Sequence, residues 1–380
     1  MLSNPMLFEV RQAGIKGFGI FARQRIARGS RILSERPLLL VDQKEINILA
    51  AASRLSKAEL DTLLGLSVNK AKRESLWNLV DALFQSAQLP LSKKGRRSIQ
   101  QRRDILACFY NNNFALSLSP PHRDDGTNTI NTATKTSAAR GVFPTIARLN
   151  HSCIPNAQGN FNRNVDEGSF TIHALREIAA GEEITVSYLH DELASHEERQ
   201  HWLHRVYGFW CQCGICAGGD EAHRSHKRRQ RLRDELSKAF APTTPLLSDS
   251  LGLSGPPNTA AVGNAAQMDI SASRQLVNLT IETYEQEGLV GGELASLYGV
   301  AAALADSAGD HGEAMRLGAR SMELERDAAG EDSPLYQMRR QSFESMQFDQ
   351  GGSSLSRFAA AAPKAQSSED DNALSYAPWT

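Results

Sequence analysis

The run Arg148-Leu149-Asn150-His151-Ser152-Cys153-Ile154-Pro155-Asn156 organises this chain, and its cysteine points to a second run far downstream. There Cys211, Cys213 and Cys216 stand as Cys-x-Cys-x-x-Cys. Three thiols that close cannot all pair with one another as disulfides, but they can wrap one tetrahedral zinc if a fourth ligand arrives from elsewhere. Cys153 is the natural fourth. Such a metal would staple the C-terminal end of a domain onto its middle, and its binding would contribute directly to folding free energy. A Cys-x-x-Cys can instead be a redox pair, and a free cysteine is often a small buried hydrophobe. A redox pair sits at a helix start in a βαβ setting, whereas residues 207–219 read as loop, so the spacing favours zinc. Cys108 lies in apolar Ile105-Leu106-Ala107-Cys108-Phe109 and reads as core.

A chain of 380 residues with 41% hydrophobic content implies two or three domains and enough material for a buried core. The net charge of −1 argues against direct nucleic-acid binding by bulk electrostatics. No apolar run approaches the ~18 residues a membrane crossing needs, and residues 1–10 lack a signal peptide's charged flank and apolar stretch. Five cysteines with metal-like spacing fit a reducing compartment. The expectation is an intracellular protein of nucleus and/or cytoplasm.

Residues 7–41 read as strands broken by Gly14, Gly17, Gly19 and the Arg28-Gly29 turn. From about 46 to 105 the periodicity turns helical: Leu60, Leu63 and Leu64 share a face, as do Leu76, Leu79, Val80 and Leu83. Within it, Lys93-Lys94-Gly95-Arg96-Arg97 reads as a solvated turn. Residues 117–139, rich in Thr, Asn, Ser and Pro, read as a long loop. Strands resume at 168–175 and 183–189, and a helix over 191–207 leads to the cysteine run. A basic amphipathic helix spans 223–240, where Lys227-Arg228-Arg229 reads as a nuclear import signal or as a solvated face. Residues 241–267 read as linker, 268–348 as helices at 270–287, 293–308, 311–328 and 334–348, and the tail from Gly351 as low-complexity chain. Tyr298, Ala301-Ala302-Ala303, Gly309-Asp310, Ala314 and Ala319 give the helices the small-and-aromatic look of tetratricopeptide-like hairpins. Two hairpins are too few for a solenoid, so they are expected to pack on the first domain.

In this order the pieces resemble a SET-domain protein-lysine methyltransferase. Five stretches carry the resemblance: Gly14-Ile15-Lys16-Gly17-Phe18-Gly19-Ile20-Phe21-Ala22 with Ile26-Ala27-Arg28-Gly29-Ser30; the Arg148 to Asn156 run; Arg176-Glu177-Ile178-Ala179-Ala180-Gly181-Glu182-Glu183-Ile184; Thr185-Val186-Ser187-Tyr188; and the cysteine run. They cover roughly residues 7–218. The helical insertion and helical C-terminal region look most like the SET-and-MYND subgroup, without its MYND finger, since no cysteine falls between Arg11 and Ile105. The resemblance implies an α+β chain. Residues 1–218 would be a β-rich SET fold with a helical insertion (about 46–105) and a post-SET zinc segment (about 207–218). A basic helix and linker (219–267), a tetratricopeptide-like α-helical region (268–348) and a tail (349–380) would follow.

The implied cofactors are S-adenosylmethionine and one structural zinc held by Cys153, Cys211, Cys213 and Cys216. Lys16, Gly17, Phe18 and Gly19 inherit the loop along S-adenosylmethionine, where glycines permit close backbone approach. Asn150 and His151 match the pair that contacts its amino-acid part and adenine, Phe209 the aromatic that stacks on adenine, and Asn112 a further cofactor-binding asparagine. Tyr188 sits at the catalytic tyrosine and Tyr207 at a second aromatic of the lysine channel. Methyl transfer to lysine needs a neutral amine and an in-line channel, and a narrow apolar channel disfavours the ammonium. The implied partner is a protein presenting a lysine, histone or non-histone, with a peptide or protein partner on the C-terminal helices. The alternative is a SET scaffold without catalysis that acts as an interaction or chromatin adaptor. The presence of Tyr188, Asn150, His151 and the glycine loop counts against it.

Overall fold

The computed structural model describes residues 7–42, 47–69, 74, 93–116, 139–239 and 270–348, with the side chains of 93–97 and 345–348 left aside. Leu76, Leu79, Val80 and Leu83, most of the expected loop (117–138), the 241–267 linker and the tail lie outside those residues. Three small sheets are described. Strands β1 (Phe8–Gln12), β2 (Phe18–Ala22), β7 (Asn150–His151) and β10 (Glu183–Val186) form one, in the order β1-β2-β10-β7. Strands β3 (Arg31–Glu35), β9 (Ser169–Ala174) and β8 (Ala157–Asn162) form the second, and β4 (Leu39–Val41), β6 (Ala139–Val142) and β5 (Asn113–Leu116) the third. The helices are α1 (Ile48–Ala52), α2 (Lys57–Leu64), α3 (Lys93–Asn112), α4 (His196–Tyr207), α5 (Asp220–Ala239), α6 (Ile270–Glu287), α7 (Gly292–Ser307), α8 (His311–Ala329) and α9 (Pro334–Phe348).

Strand β10 lies between unlike neighbours. It pairs antiparallel with β2 (Glu183 opposite Phe21) and parallel with β7 (Thr185 opposite Asn150, Val186 opposite His151). Two residues of parallel ladder hold little by themselves, and a buried side chain completes the pairing. Asn156 accepts from the Thr185 amide at 2.8 Å and donates to the Glu183 carbonyl at 2.8 Å and to Glu182 at 2.9 Å. Its amide thus pairs with β10 as another strand would, which explains a polar residue only 2% exposed. Ile20, Ile26, Ile172, Ile178 and Ile184 are buried in one cluster with Phe143 and Phe170, against which the half-buried Phe114 packs, ring centroids 4.9–5.9 Å apart.

Local chemistry sets the helix ends. Ser56 with Glu59 and Ser195 with Glu198 form capping boxes at the starts of α2 and α4. Gly208, at φ 81°, ends α4 in the left-handed region and turns the chain toward the cysteines.

Several expectations are corrected. Residues 93–97 are not a turn but the start of α3, since Lys and Arg are good helix formers and one glycine costs only ~1 kcal/mol. The same helix carries the insertion past residue 105 to Asn112. Helix α4 begins at His196, after the Ser195 cap, rather than at 191. The Lys227-Arg228-Arg229 triplet is a solvated face only in part: Lys227 is exposed, but Arg229 is 1% exposed and bridges the buried Glu287 of α6 at 2.8 Å, while Arg228 reaches the same carboxylate at 2.6 Å. Strands β5, β6 and β8 went unread because their sequences are short or polar.

The C-terminal helices dock on the second sheet through polar contacts. Asn160 donates to the Ala328 carbonyl at 2.7 Å, the Gly292 amide donates to Gln158 at 2.9 Å, and Arg31 clamps Asp332 at 2.5 and 2.6 Å. His173, 1% exposed, accepts from Arg31 beneath the turn at Gly330. Among the described residues, no helix is long and apolar enough to cross a membrane.

Asn156→Ala leaves the Thr185 amide and Glu183 carbonyl without their partner and should lower unfolding free energy by about 2–3 kcal/mol, measured by urea denaturation. Burial, ahead of the Arg31 charge, depresses the His173 pKa to about 4. The unfolded imidazole takes its proton near 6.5, so folding stability should fall as pH drops from 6.5 toward 4, by up to about 3 kcal/mol from this group. His173→Gln should flatten that part of the stability–pH curve.

Candidate functional site

The sulfurs of Cys153, Cys211, Cys213 and Cys216 lie within 4.8 Å of one another. Cys153 Sγ stands 3.9 Å from Cys211 Sγ and 3.6 Å from Cys216 Sγ. Tetrahedral zinc with Zn–S bonds near 2.3 Å spaces its sulfurs about 3.8 Å apart. All five cysteines are free, so the donor set and its spacing fit one zinc. Hydrogen bonding among the sulfurs pushes the Cys153 thiol up and draws Cys213 down.

The second half of the cluster is held by a residue the motif reading passed over. Gln200 of α4 accepts from the Cys211 amide and donates to its carbonyl, both at 2.8 Å, as a paired strand would. Arg199, 2% exposed, donates to the Ala194 carbonyl at 2.6 Å and reaches Cys216 Sγ at 3.6 Å. Both sit in the first turns of α4, which the Ser195–Glu198 capping box orients. That box was a legible signal for the start of α4; the inward turn of Arg199 and Gln200 was not.

Next to the thiols lies a group of rings. His151 Nε2 is 3.3 Å from Cys153 Sγ, and His151 Nδ1 accepts from the Tyr188 amide at 3.0 Å. Burial, chiefly, pushes the His151 pKa down to about 4, so it is neutral at pH 7. The Tyr188 ring lies 4.7 Å from Tyr207, 5.4 Å from His151 and 6.4 Å from Phe209, and its hydroxyl donates to the Leu149 carbonyl. Burial, then the fields of Tyr207 and Glu183, raise the Tyr188 hydroxyl well above its ordinary range, so it stays a neutral phenol. The chain before Asn150 is held in turn: Glu35 accepts the Thr145 and Ile146 amides at 3.0 and 2.9 Å, capping the 3-10 turn Ile146–Arg148.

The glycine loop meets the other end of this segment. Asn150 donates to the Phe18 carbonyl at 3.1 Å and to Glu183 at 2.8 Å, and Lys16 pairs with Glu183 at 2.6 Å. Gly17 adopts φ 81°, which explains its identity; Gly19 lacks room, since a Cβ there would meet Glu183 at 2.8 Å and Asn150 at 2.9 Å.

Lys16, Gly19, Asn150, His151, Tyr188, Tyr207, Phe209 and the four cysteines thus form one connected region. Asn112 does not join it through its amide: its nitrogen donates to the Ser67 and Cys108 carbonyls at 2.8 and 2.9 Å, ending α3. Its neighbour Asn111 has the nearer link, accepting from the Asn69 amide while Asn69 reaches the Val206 carbonyl beside Tyr207.

Residues 17–189 match the family model described as SET domain. The histone-lysine N-methyltransferase set5 of Schizosaccharomyces pombe is 29% identical over 219 residues, covering 57% of this chain and 53% of that protein. Shorter matches include the histone-lysine N-methyltransferase ATXR2 of Arabidopsis thaliana, 47% identical over 75 residues (20% of this chain, 15% of that one). The human histone-lysine N-methyltransferase SMYD3 is 41% identical over 81 residues (21% and 18%). The chain thus spans about half the length of the first relative and under a fifth of the other two. The solved SET domain of LSMT bound to lysine and AdoHcy aligns over 96% of this chain and 85% of that one, at 13% identity and a TM-score of 0.32, too slight a likeness to bear on the fold.

Metal analysis of the purified protein should find about one zinc per chain. Cys213→Ser should lose it and unfold more readily, and chelation of the wild type should expose the four thiols to a thiol reagent together. Absence of zinc from the wild type, or stepwise independent thiol reactivity, would contradict a shared site.

Proposed function

We propose that this chain, whose residues 17–189 match the SET domain, is an S-adenosylmethionine-dependent protein-lysine methyltransferase. The observation that carries the reading is the placement of Tyr188. Its neutral hydroxyl is anchored on the Leu149 carbonyl, its amide on His151, and its ring stands among Tyr207, His151 and Phe209.

When bound, S-adenosylmethionine supplies an electrophilic methyl group on a positively charged sulfur. Asn150 and His151 hold its amino-acid and adenine parts in this reading, with Phe209 over the adenine and the Lys16 to Gly19 loop along it. Tyr188 and Tyr207 line the channel for the lysine. With its own proton donated to Leu149, the Tyr188 oxygen keeps lone pairs that can orient an amine and make weak C–H···O contacts to a methyl group. A phenol held this far above its usual range does not act as the base. The amine has to arrive neutral, and aromatic, water-poor walls favour that form by disfavouring the ammonium. Zinc bound by the four cysteines would act through position, joining the Asn150–His151 segment to the one bearing Phe209.

Histone and non-histone proteins are both open as substrates. Helices α6 to α9 read as two tetratricopeptide-like hairpins that offer a peptide or protein partner a surface. Ala302, Ala305 and Ala314, all 0% exposed, support that packing where α7 meets α8. The free thiols favour a reducing, intracellular setting.

Tyr188→Phe should keep S-adenosylmethionine binding by calorimetry and lose transfer to a peptide pool by about 10²-fold or more. Unchanged turnover would remove Tyr188 from the mechanism, and no cofactor binding by the wild type at high concentration would overturn the enzyme reading itself.

A further inference from the structure

Glu183 is absent from the set of residues that the motifs assign to the cofactor, yet three of those residues converge on it. Its Oε1 accepts from Asn150 Nδ2 at 2.8 Å and its Oε2 accepts from Lys16 Nζ at 2.6 Å. The missing Cβ of Gly19 leaves the space the first bond occupies, since a methyl group there would stand 2.8 Å from Glu183 Oε1 and 2.9 Å from Asn150 Nδ2. The second donor bond of Asn150 goes to the Phe18 carbonyl at 3.1 Å.

An asparagine amide has a donor end and an acceptor end of almost equal shape, and only its partners decide which end points where. Both partners here, a carboxylate and a backbone carbonyl, can only accept. The nitrogen of Asn150 must therefore face Glu183 and Phe18, and Oδ1 must face the other way. Among the described residues no hydrogen bond to Oδ1 is seen, and the side chain is half-buried rather than sealed. An oriented acceptor of this kind suits a cationic donor, and the amino-acid part of S-adenosylmethionine carries an α-ammonium. Lys16 balances the charge of Glu183, so the carboxylate orients the amide without itself standing as an unpaired anion in the pocket.

We propose that Glu183 is a positioning residue for the cofactor: it fixes the Asn150 amide so that Oδ1 faces the α-ammonium, and ties the Lys16 loop to β10. This rests on the methyltransferase reading of the site. The role is selective. It concerns the amino-acid end of the ligand and leaves the adenosine end to other residues.

The test compares S-adenosylhomocysteine with 5′-methylthioadenosine by calorimetry on the full chain. Both are thioethers of adenosine with no charge on sulfur, and the second lacks the amino-acid part with its α-ammonium. Glu183→Ala should weaken S-adenosylhomocysteine about tenfold, the equivalent of about 1.4 kcal/mol, and change 5′-methylthioadenosine by less than about twofold. Glu183→Gln, whose Oε1 can still accept from Asn150, should recover most of the loss. In an Asn150→Ala background Glu183→Ala should add little, because the group it orients is gone. Equal weakening of both ligands, or the same loss in the Asn150→Ala background, would show that Glu183 is merely structural and overturn the role while leaving the methyltransferase reading intact. If the wild type binds neither ligand, that reading falls and the role with it.

Discussion

The parallel pairing of β7 with β10 is two residues long, and everything proposed for the site hangs on it. Asn150 and His151 face Thr185 and Val186 across that ladder, Glu183 begins β10 and Tyr188 follows its end. So short a ladder is held by what surrounds it. Asn156 supplies extra hydrogen bonds from one side, Glu35 caps the turn before Asn150 from the other, and His151 takes the Tyr188 amide. Each of these polar groups is buried or half-buried and partnered, so the segment has one arrangement rather than several.

The thiol cluster closes the same region from the C-terminal side. Cys153 leaves the β7 segment directly, whereas the other three cysteines arrive on a loop that Gly208 turns off the end of α4. Gln200 fixes the backbone of that loop at Cys211, and Phe209 and Tyr207 on the same stretch come against His151 and Tyr188. A zinc on these sulfurs would therefore couple folding to the placement of these rings, since the two segments that carry the rings also carry the metal ligands.

The C-terminal helices are joined to the β-sheets by side-chain hydrogen bonds and ion pairs at Gln158, Asn160 and Arg31. Their connection to α5 runs through the buried Arg229–Glu287 pair, which draws one residue of a triplet that looks like a basic surface tag into the interior. Sequence patterns could not show this. A basic residue on an amphipathic helix reads as solvated unless its carboxylate partner is known, and Glu287 lies far along the chain. Strand β8 went unread for a related cause: in Ala157-Gln158-Gly159-Asn160-Phe161-Asn162 the polar side chains serve the docking of other elements, so apolar alternation is missing.

By itself the sequence determined the ingredients: four cysteines at ligand spacing, the Asn-His-Ser-Cys run, the glycines of the first loop, and the tyrosines and phenylalanine that the structure gathers round His151. The thiols and glycines were legible because a thiolate ligand or a glycine in a tight turn is dictated by local chemistry, whereas the Asn-His-Ser-Cys run, the tyrosines and the phenylalanine were legible through the family resemblance. Only the tertiary structure decided the partners: that Asn112 ends a helix, that Gln200 and Arg199 brace the thiols, and that Glu183 holds Asn150 and Lys16 on one carboxylate. Those assignments depend on which distant donor meets which acceptor, and hydrogen-bond pairing across many residues leaves no period or spacing along the chain to read.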